Sequence, residues 1–260
     1  SYLSSFAANA YDIGLNYRYA IGQRLYTKFN QSYRFANTDE YYGFDPVTYK
    51  PFFNGVVLRP QVNQTYEAGG DFSYASSKVN VSIFSTNARD EIRYDPVSGN
   101  NINDADIRRV GLNLNESTNF NSNFNFGVGA RYQRAYYTNG INKGYLVSFV
   151  PQLVLNLRAK YQFNQAFSVG GVVNYVGAQF YDGDQQNAYN KMPSYAFGDI
   201  FAEYRLRAWD ARFMIRNVSN TQYAVYGSNQ VSYGAPYGPY NYQPAPPRTF
   251  FMTLKYNFDL

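Results

Sequence analysis

The sequence predicts an all-β chain: an antiparallel up-and-down transmembrane β-barrel of about eleven or twelve strands. Three observations predict it. The last thirteen residues, Arg248–Leu260, place apolar side chains at every second position: Phe250, Met252, Leu254, Tyr256, Phe258 and Leu260. A period of two gives a strand one apolar face, and the run is as long as the roughly 9–11 residues a tilted strand needs to cross a bilayer. Second, the 260 residues include 29 Tyr and 21 Phe, yet mean hydropathy is only −0.48. Lipid-facing and lumen-facing residues that alternate give that combination, with aromatic girdles at both interfaces. No stretch nears 18 consecutive apolar residues, so helical spans are excluded. Third, the connections alternate between short and long.

Taken in order, strand one is Tyr11–Tyr19, with Tyr11, Ile13, Leu15, Tyr17 and Tyr19 in phase, and residues 1–10 could extend it. Strand two is Arg24–Phe35. A long stretch, 36–63, carries Pro46, Pro51 and Pro60. Strand three is Gln64–Tyr74 and strand four Val79–Tyr94. Asp95-Pro96-Val97-Ser98-Gly99-Asn100 is a strong turn signal. Strands five and six are Asp106–Glu116 and Phe124–Tyr137. Strand seven spans Tyr145–Phe163, and Pro151, which cannot donate to a ladder, predicts a bulge or break within it. Strands eight, nine and ten are Phe167–Phe180, Pro193–Leu206 and Ala211–Val218. A Tyr/Gly/Pro-rich loop, 219–247, leads to the terminal strand.

Short connections fall near Ile21, Ser76, Asn121, Gln165 and Ala208, and long ones near Val47, Asn100, Asn139, Asp184 and Tyr233. Short periplasmic turns and long external loops are the pattern of outer-membrane barrels. With long loops outside, the terminal strand runs inward. Eleven strands would then put the two ends on opposite sides, whereas single-chain bacterial barrels have even strand numbers. The expectation is at least one preceding strand outside this sequence, with Pro151 the place where the count could shift.

Composition also limits chemistry. Cysteine and histidine are both absent, which removes thiolate nucleophiles, Ser-His-Asp hydrolysis and nearly all zinc or haem ligation. A net charge of +5 without basic blocks gives little support for nucleic-acid binding. Asp182 and Asp184 are too few for calcium's usual 6–8 oxygen ligands. No enzyme activity, cofactor or metal site is expected.

Several segments together resemble the TonB-dependent outer-membrane receptors. Ser32-Tyr33-Arg34-Phe35-Ala36-Asn37 matches a strand-top motif, and Leu58-Arg59-Pro60-Gln61 with Tyr66-Glu67-Ala68-Gly69 matches the next strand entry, with Gln61 where Glu is usual. Asp90-Glu91-Ile92, Asn101-Ile102-Asn103 and Arg108-Arg109-Val110-Gly111-Leu112 follow in order. Val150-Pro151, Ile215-Arg216-Asn217-Val218-Ser219-Asn220 with Tyr223, and Pro247-Arg248-Thr249-Phe250 complete the series. Two departures are the missing aromatic after Asn217 and the Asp259-Leu260 that follows Phe258. The resemblance implies a 22-stranded barrel, a plug domain inside it, and an N-terminal segment that contacts TonB. The chain, 1–260, would be the C-terminal part of that barrel domain, without plug or N-terminal strands. Implied too are a bacterial outer-membrane location and energised uptake of a ferric siderophore, haem or cobalamin. A self-contained passive channel or adhesin barrel is the alternative.

Two residue sets are candidates. Aromatics of the long loops can grip an extended, partly apolar ligand: Tyr41, Tyr42, Phe44, Tyr49, Phe52 and Phe53 in one, and Tyr223, Tyr226, Tyr233, Tyr237, Tyr240 and Tyr242 in another. Girdle packing would use the same residues. Arg89, Glu91, Arg93, Arg108 and Arg109 could face the lumen and contact the plug, or be a polar wall of satisfied pairs.

Overall fold

The computed structural model describes residues 6–44, 48, 50–53, 55–95, 100–228 and 241–258. Eleven strands form one antiparallel sheet in chain order: β1 Tyr11–Ala20, β2 Gln23–Arg34, β3 Gln61–Ser73, β4 Ser77–Arg89, β5 Ile107–Asn119, β6 Phe124–Tyr137, β7 Leu153–Gln162, β8 Phe167–Val176, β9 Tyr195–Leu206, β10 Trp209–Arg216 and β11 Thr249–Tyr256. Every neighbour pair is consecutive and antiparallel. Short connections, such as the two-residue turn at Ile21-Gly22, alternate with the long segments 35–60, 90–106, 138–152, 177–194 and 217–248. Gly22 takes a positive φ of 73° there, a conformation glycine adopts without steric cost.

Several boundaries differ from the sequence expectation, most by two to four residues, as where strand eight ends at Val176 rather than Phe180. Strand four ends at Arg89, because Asp90 turns the chain with φ 54°; Ile92–Asp95 instead pairs with Asn100–Asn103 as a separate hairpin. Strand seven begins at Leu153, beyond Pro151, after Phe149 has adopted φ 58°. The terminal strand covers Thr249–Tyr256 rather than thirteen residues, and Asp259 and Leu260 lie outside the described residues.

The register fixes which side chains share a face. Leu15, Thr27, Ala68, Ile83, Leu112, Tyr132 and Leu153 form one row across seven strands. This face is apolar and open: Leu15 is 70% and Met252 74% exposed, as a lipid-facing wall must be before lipid covers it. The other face is polar, with Asn80 donating to Asp71 at 2.8 Å and Asn156 to Asn174 at 2.7 Å. Among the described residues β1 pairs only with β2, and β11 only with β10. The sheet is open at both edges.

Candidate functional site

The buried apolar side chains lie where the long loops meet the sheet. Ala88, Ile107 and Tyr137 pack together at the long-loop ends of β4, β5 and β6, with Leu58 and Ile92 buried nearby. Around this cluster runs a network of ion pairs. Arg34 pairs with Glu40 at 2.8 Å and also donates to the Ile92 carbonyl. Arg93 pairs with Asp104, Arg59 with Asp90, and Arg109 with Glu91. Asn103 donates to the carbonyls of Arg59 and Asp90, each at 2.9 Å, tying two loops together. Partial burial alone would raise the Glu40 carboxyl, but the Arg34 guanidinium and the Asn37 N–H outweigh it and hold Glu40 below the usual carboxylate range.

The expected lumen set divides. Glu91, Arg93 and Arg109 belong to this network. Arg89 and Arg108 do not: register and alternation place them on the same face as Ile83 and Leu112, so they point outward. That corrects their assignment. Charged residues in sequence imply a polar face only if strand phase agrees, and here it does not.

At the other side of the mouth, aromatic rings converge. Asn217, buried and in a left-handed conformation (φ 49°), closes a tight turn by donating to the Thr221 carbonyl and accepting from the Thr221 N–H, both at 2.9 Å. Its own N–H reaches Asp199 at 2.9 Å. The turn delivers Tyr223 onto Tyr195 and Phe197, with ring centroids 4.3 and 5.0 Å away and planes nearly parallel. Burial pushes the Tyr223 phenol up. A cleft of about 350 Å³ opens here, lined by Met192, Tyr195, Tyr223, Tyr242 and Pro244 among others. The hairpin Ala224–Ser228 with Asn241–Pro244 forms one wall. Gly227 lets the segment 181–192 lie against it: a Cβ at Gly227 would stand 2.9 Å from both Met192 Sδ and Tyr181 Cδ1. The hydroxyls of Tyr181 and Tyr242 are 2.7 Å apart.

Of the expected loop aromatics, Tyr223 and Tyr242 line the cleft and Tyr226 does not. Its hydroxyl donates to Asp182 at 2.5 Å and its ring packs edge-on to Phe149. Burial and that carboxylate push its phenol up to about 12. Tyr41 is half-buried, with its hydroxyl 3.5 Å from the Leu58 carbonyl. Tyr42 is exposed on the hairpin Tyr42–Phe44 with Pro51–Phe53, edge-on to Phe53. Phe44 ends the first strand of that hairpin. Tyr49, Tyr233, Tyr237 and Tyr240 lie outside the described residues. Tyr195 and Phe197 were absent from the expected set, although two aromatics on the polar phase of strand nine were a readable signal. Asp184 accepts from the N–H groups of Ala188 and Tyr189, and among the described residues no cluster of acids could hold a metal ion.

Residues 2–218 match the family described as TonB dependent receptor-like, beta-barrel. The chain belongs to that family. TonB-dependent receptors are bacterial outer-membrane barrels that transport rather than catalyse. Solved structures share the fold. The ferric yersiniabactin uptake receptor FyuA from Yersinia pestis is 19% identical, with a TM-score of 0.74 over 95% of this chain and 37% of its own. The ferric-catecholate import receptor Fiu from K12 E. coli is 19% identical, with a TM-score of 0.70 over 96% and 35%. The copper transporter OprC is 16% identical, with a TM-score of 0.74 over 96% and 39%. The chain therefore spans little more than a third of the length of these structures. No curated protein matches it in sequence.

Proposed function

We propose that the chain is the C-terminal wall and outer mouth of a larger barrel. In the complete protein, that barrel takes up a scarce ligand across the outer membrane with energy delivered through TonB. The observation that carries this reading is the open eleven-stranded sheet. A sheet edge in hydrocarbon leaves backbone N–H and C=O groups unpaired, each at a cost of several kcal/mol, so β1 and β11 need strands from elsewhere. A plug domain and further strands, both outside this sequence, would supply the partners that the inward face and the two edges lack.

The ligand reading rests on the mouth. The stacked Tyr195, Phe197 and Tyr223 and the cleft beside them suit a flat or extended, partly apolar metal chelate such as a ferric siderophore, haem or cobalamin. The test is uptake by cells that express the full-length protein from a plasmid. A panel of ferric hydroxamate, ferric catecholate, haem, cobalamin and copper would be offered with and without an uncoupler. The expected result is accumulation of one class, abolished by the uncoupler and reduced at least several-fold by Tyr195→Ala with Tyr223→Ala. Uptake of many small solutes, indifferent to the uncoupler, would favour a passive channel instead.

A further inference from the structure

Across the eleven strands, nearly every charged side chain faces the polar side of the sheet. The register places only four on the apolar side: Glu116, Arg89, Arg108 and Arg134. Glu116 stands alone at the short-turn end. The three arginines sit together, on the adjacent strands β4, β5 and β6, all within a few positions of the long-loop end. Beneath them, past Asn87 and Ser85 on β4, the same face is apolar, with Ile83, Val110, Leu112 and Tyr132.

Their partners differ from those of the inward arginines. At the same end of the sheet Arg34, Arg93 and Arg109 each pair with a carboxylate. Among the described residues, Arg89, Arg108 and Arg134 have none within ion-pairing distance. Arg108 reaches only Ser85 Oγ, at 3.3 Å. Arg134 lies 5.5 Å over the ring of Tyr136. The acids nearest in sequence are engaged elsewhere: Asp90 pairs with Arg59, Glu91 with Arg109, and Asp106 accepts from Asn139 at 2.9 Å. All three arginines are exposed.

A charge on a lipid-facing wall is costly unless it reaches the interface and meets a counter-charge. Long arginine side chains just above an apolar belt do reach it, and a guanidinium fork matches phosphate oxygens in bidentate fashion. We propose that Arg89, Arg108 and Arg134 form a site for the phosphate-bearing headgroup of an outer-leaflet lipid. Its acyl chains lie against Ile83, Leu112 and Tyr132, and Tyr136 fixes one of the three forks.

The test is lipid retention by the full-length protein in non-ionic detergent, titrated with bisphosphorylated lipid A and read by native mass spectrometry. Each arginine near an anionic surface contributes about a fivefold change in affinity. Arg89→Gln, Arg108→Gln and Arg134→Gln combined should therefore weaken binding on the order of a hundredfold. Arg131→Gln, on β6 but inward-facing, should leave it unchanged. Lipid A without phosphates should bind the unaltered protein as weakly as the triple variant binds the phosphorylated form, and equimolar inorganic phosphate should not compete. Equal binding of the dephosphorylated lipid would overturn the site without need of any variant. Unchanged binding by the triple variant would overturn it too, and displacement by inorganic phosphate would overturn the lipid assignment.

Discussion

One guanidinium nitrogen of Arg109 donates to both carboxylate oxygens of Glu91, at 2.8 and 2.9 Å. The pair joins β5 to the start of the segment 90–106 in a setting where each side chain is about a quarter exposed. Removing one partner strands the other. Arg109→Ala should cost about 1–3 kcal/mol, read as a lower urea midpoint of the detergent-solubilised protein. Arg109→Ala with Glu91→Ala should cost less than the sum of the two single changes. Additive losses would mean that the pair contributes nothing as a unit.

Glu40 gives the first long loop a pH dependence. Its folded-state pKa is depressed below 4.5 by Arg34 and the Asn37 N–H, against the effect of burial. A depressed acid stabilises above its unfolded pKa and loses that contribution as pH falls through the folded value. The protection of the turn Thr38–Tyr41 against hydrogen exchange, relative to the intrinsic rate at each pH, should therefore fall below about pH 4.5. In Glu40→Gln the turn should exchange fast already at neutral pH and lose this dependence.

Tyr226 works in the opposite sense. Its phenol is raised from 10 to about 12, by burial first and then by the Asp182 carboxylate. The associated stability is complete below pH 10 and fades as pH rises through about 12. Spectrophotometric titrations of the unaltered protein and of Tyr226→Phe should differ by one tyrosine that ionises late.

The docking of segment 181–192 depends on the absence of a side chain at position 227. Gly227→Val forces contacts closer than 3.0 Å with Met192 and Tyr181 to yield. Limited proteolysis should then cut within 181–192 much faster, while the β-sheet circular dichroism stays unchanged. Unchanged cleavage would show that the segment accommodates the added methyls.

The strands were legible because lipid imposes the alternation. Ile13, Leu15 and Tyr17, or Phe250, Met252 and Leu254, have no other way to share a face. The loop lengths gave the direction of each strand for the same reason. What could not be read was set by single backbone conformations and by phase. Asp90 at φ 54° cut strand four short, and nothing in Ala88-Arg89-Asp90-Glu91 announces it. Arg108 and Arg109 look alike in sequence, yet one faces outward and the other pairs inward, and only the register Asn87↔Arg108 separates them. The aromatic stack was missed because the buried Asn217 turn brings Tyr223 to Tyr195 across 28 residues of chain. Tyr226, expected at the ligand, joins two loops through Asp182, a contact that no spacing in the sequence announces.

The open sheet is the claim on which the rest depends, and cysteine cross-linking in the full-length protein, in its membrane, tests it most directly. The chain has no cysteine of its own. Phe213→Cys with Met252→Cys, register partners on β10 and β11, should cross-link readily with a short bifunctional reagent. Leu15→Cys on β1, combined in turn with cysteines at Phe250, Met252 and Leu254 on β11, should give no intramolecular product. A cross-link from β1 to β11 of the same molecule, at the yield of the Phe213–Met252 control, would show the eleven strands closing on themselves. It would contradict the larger barrel.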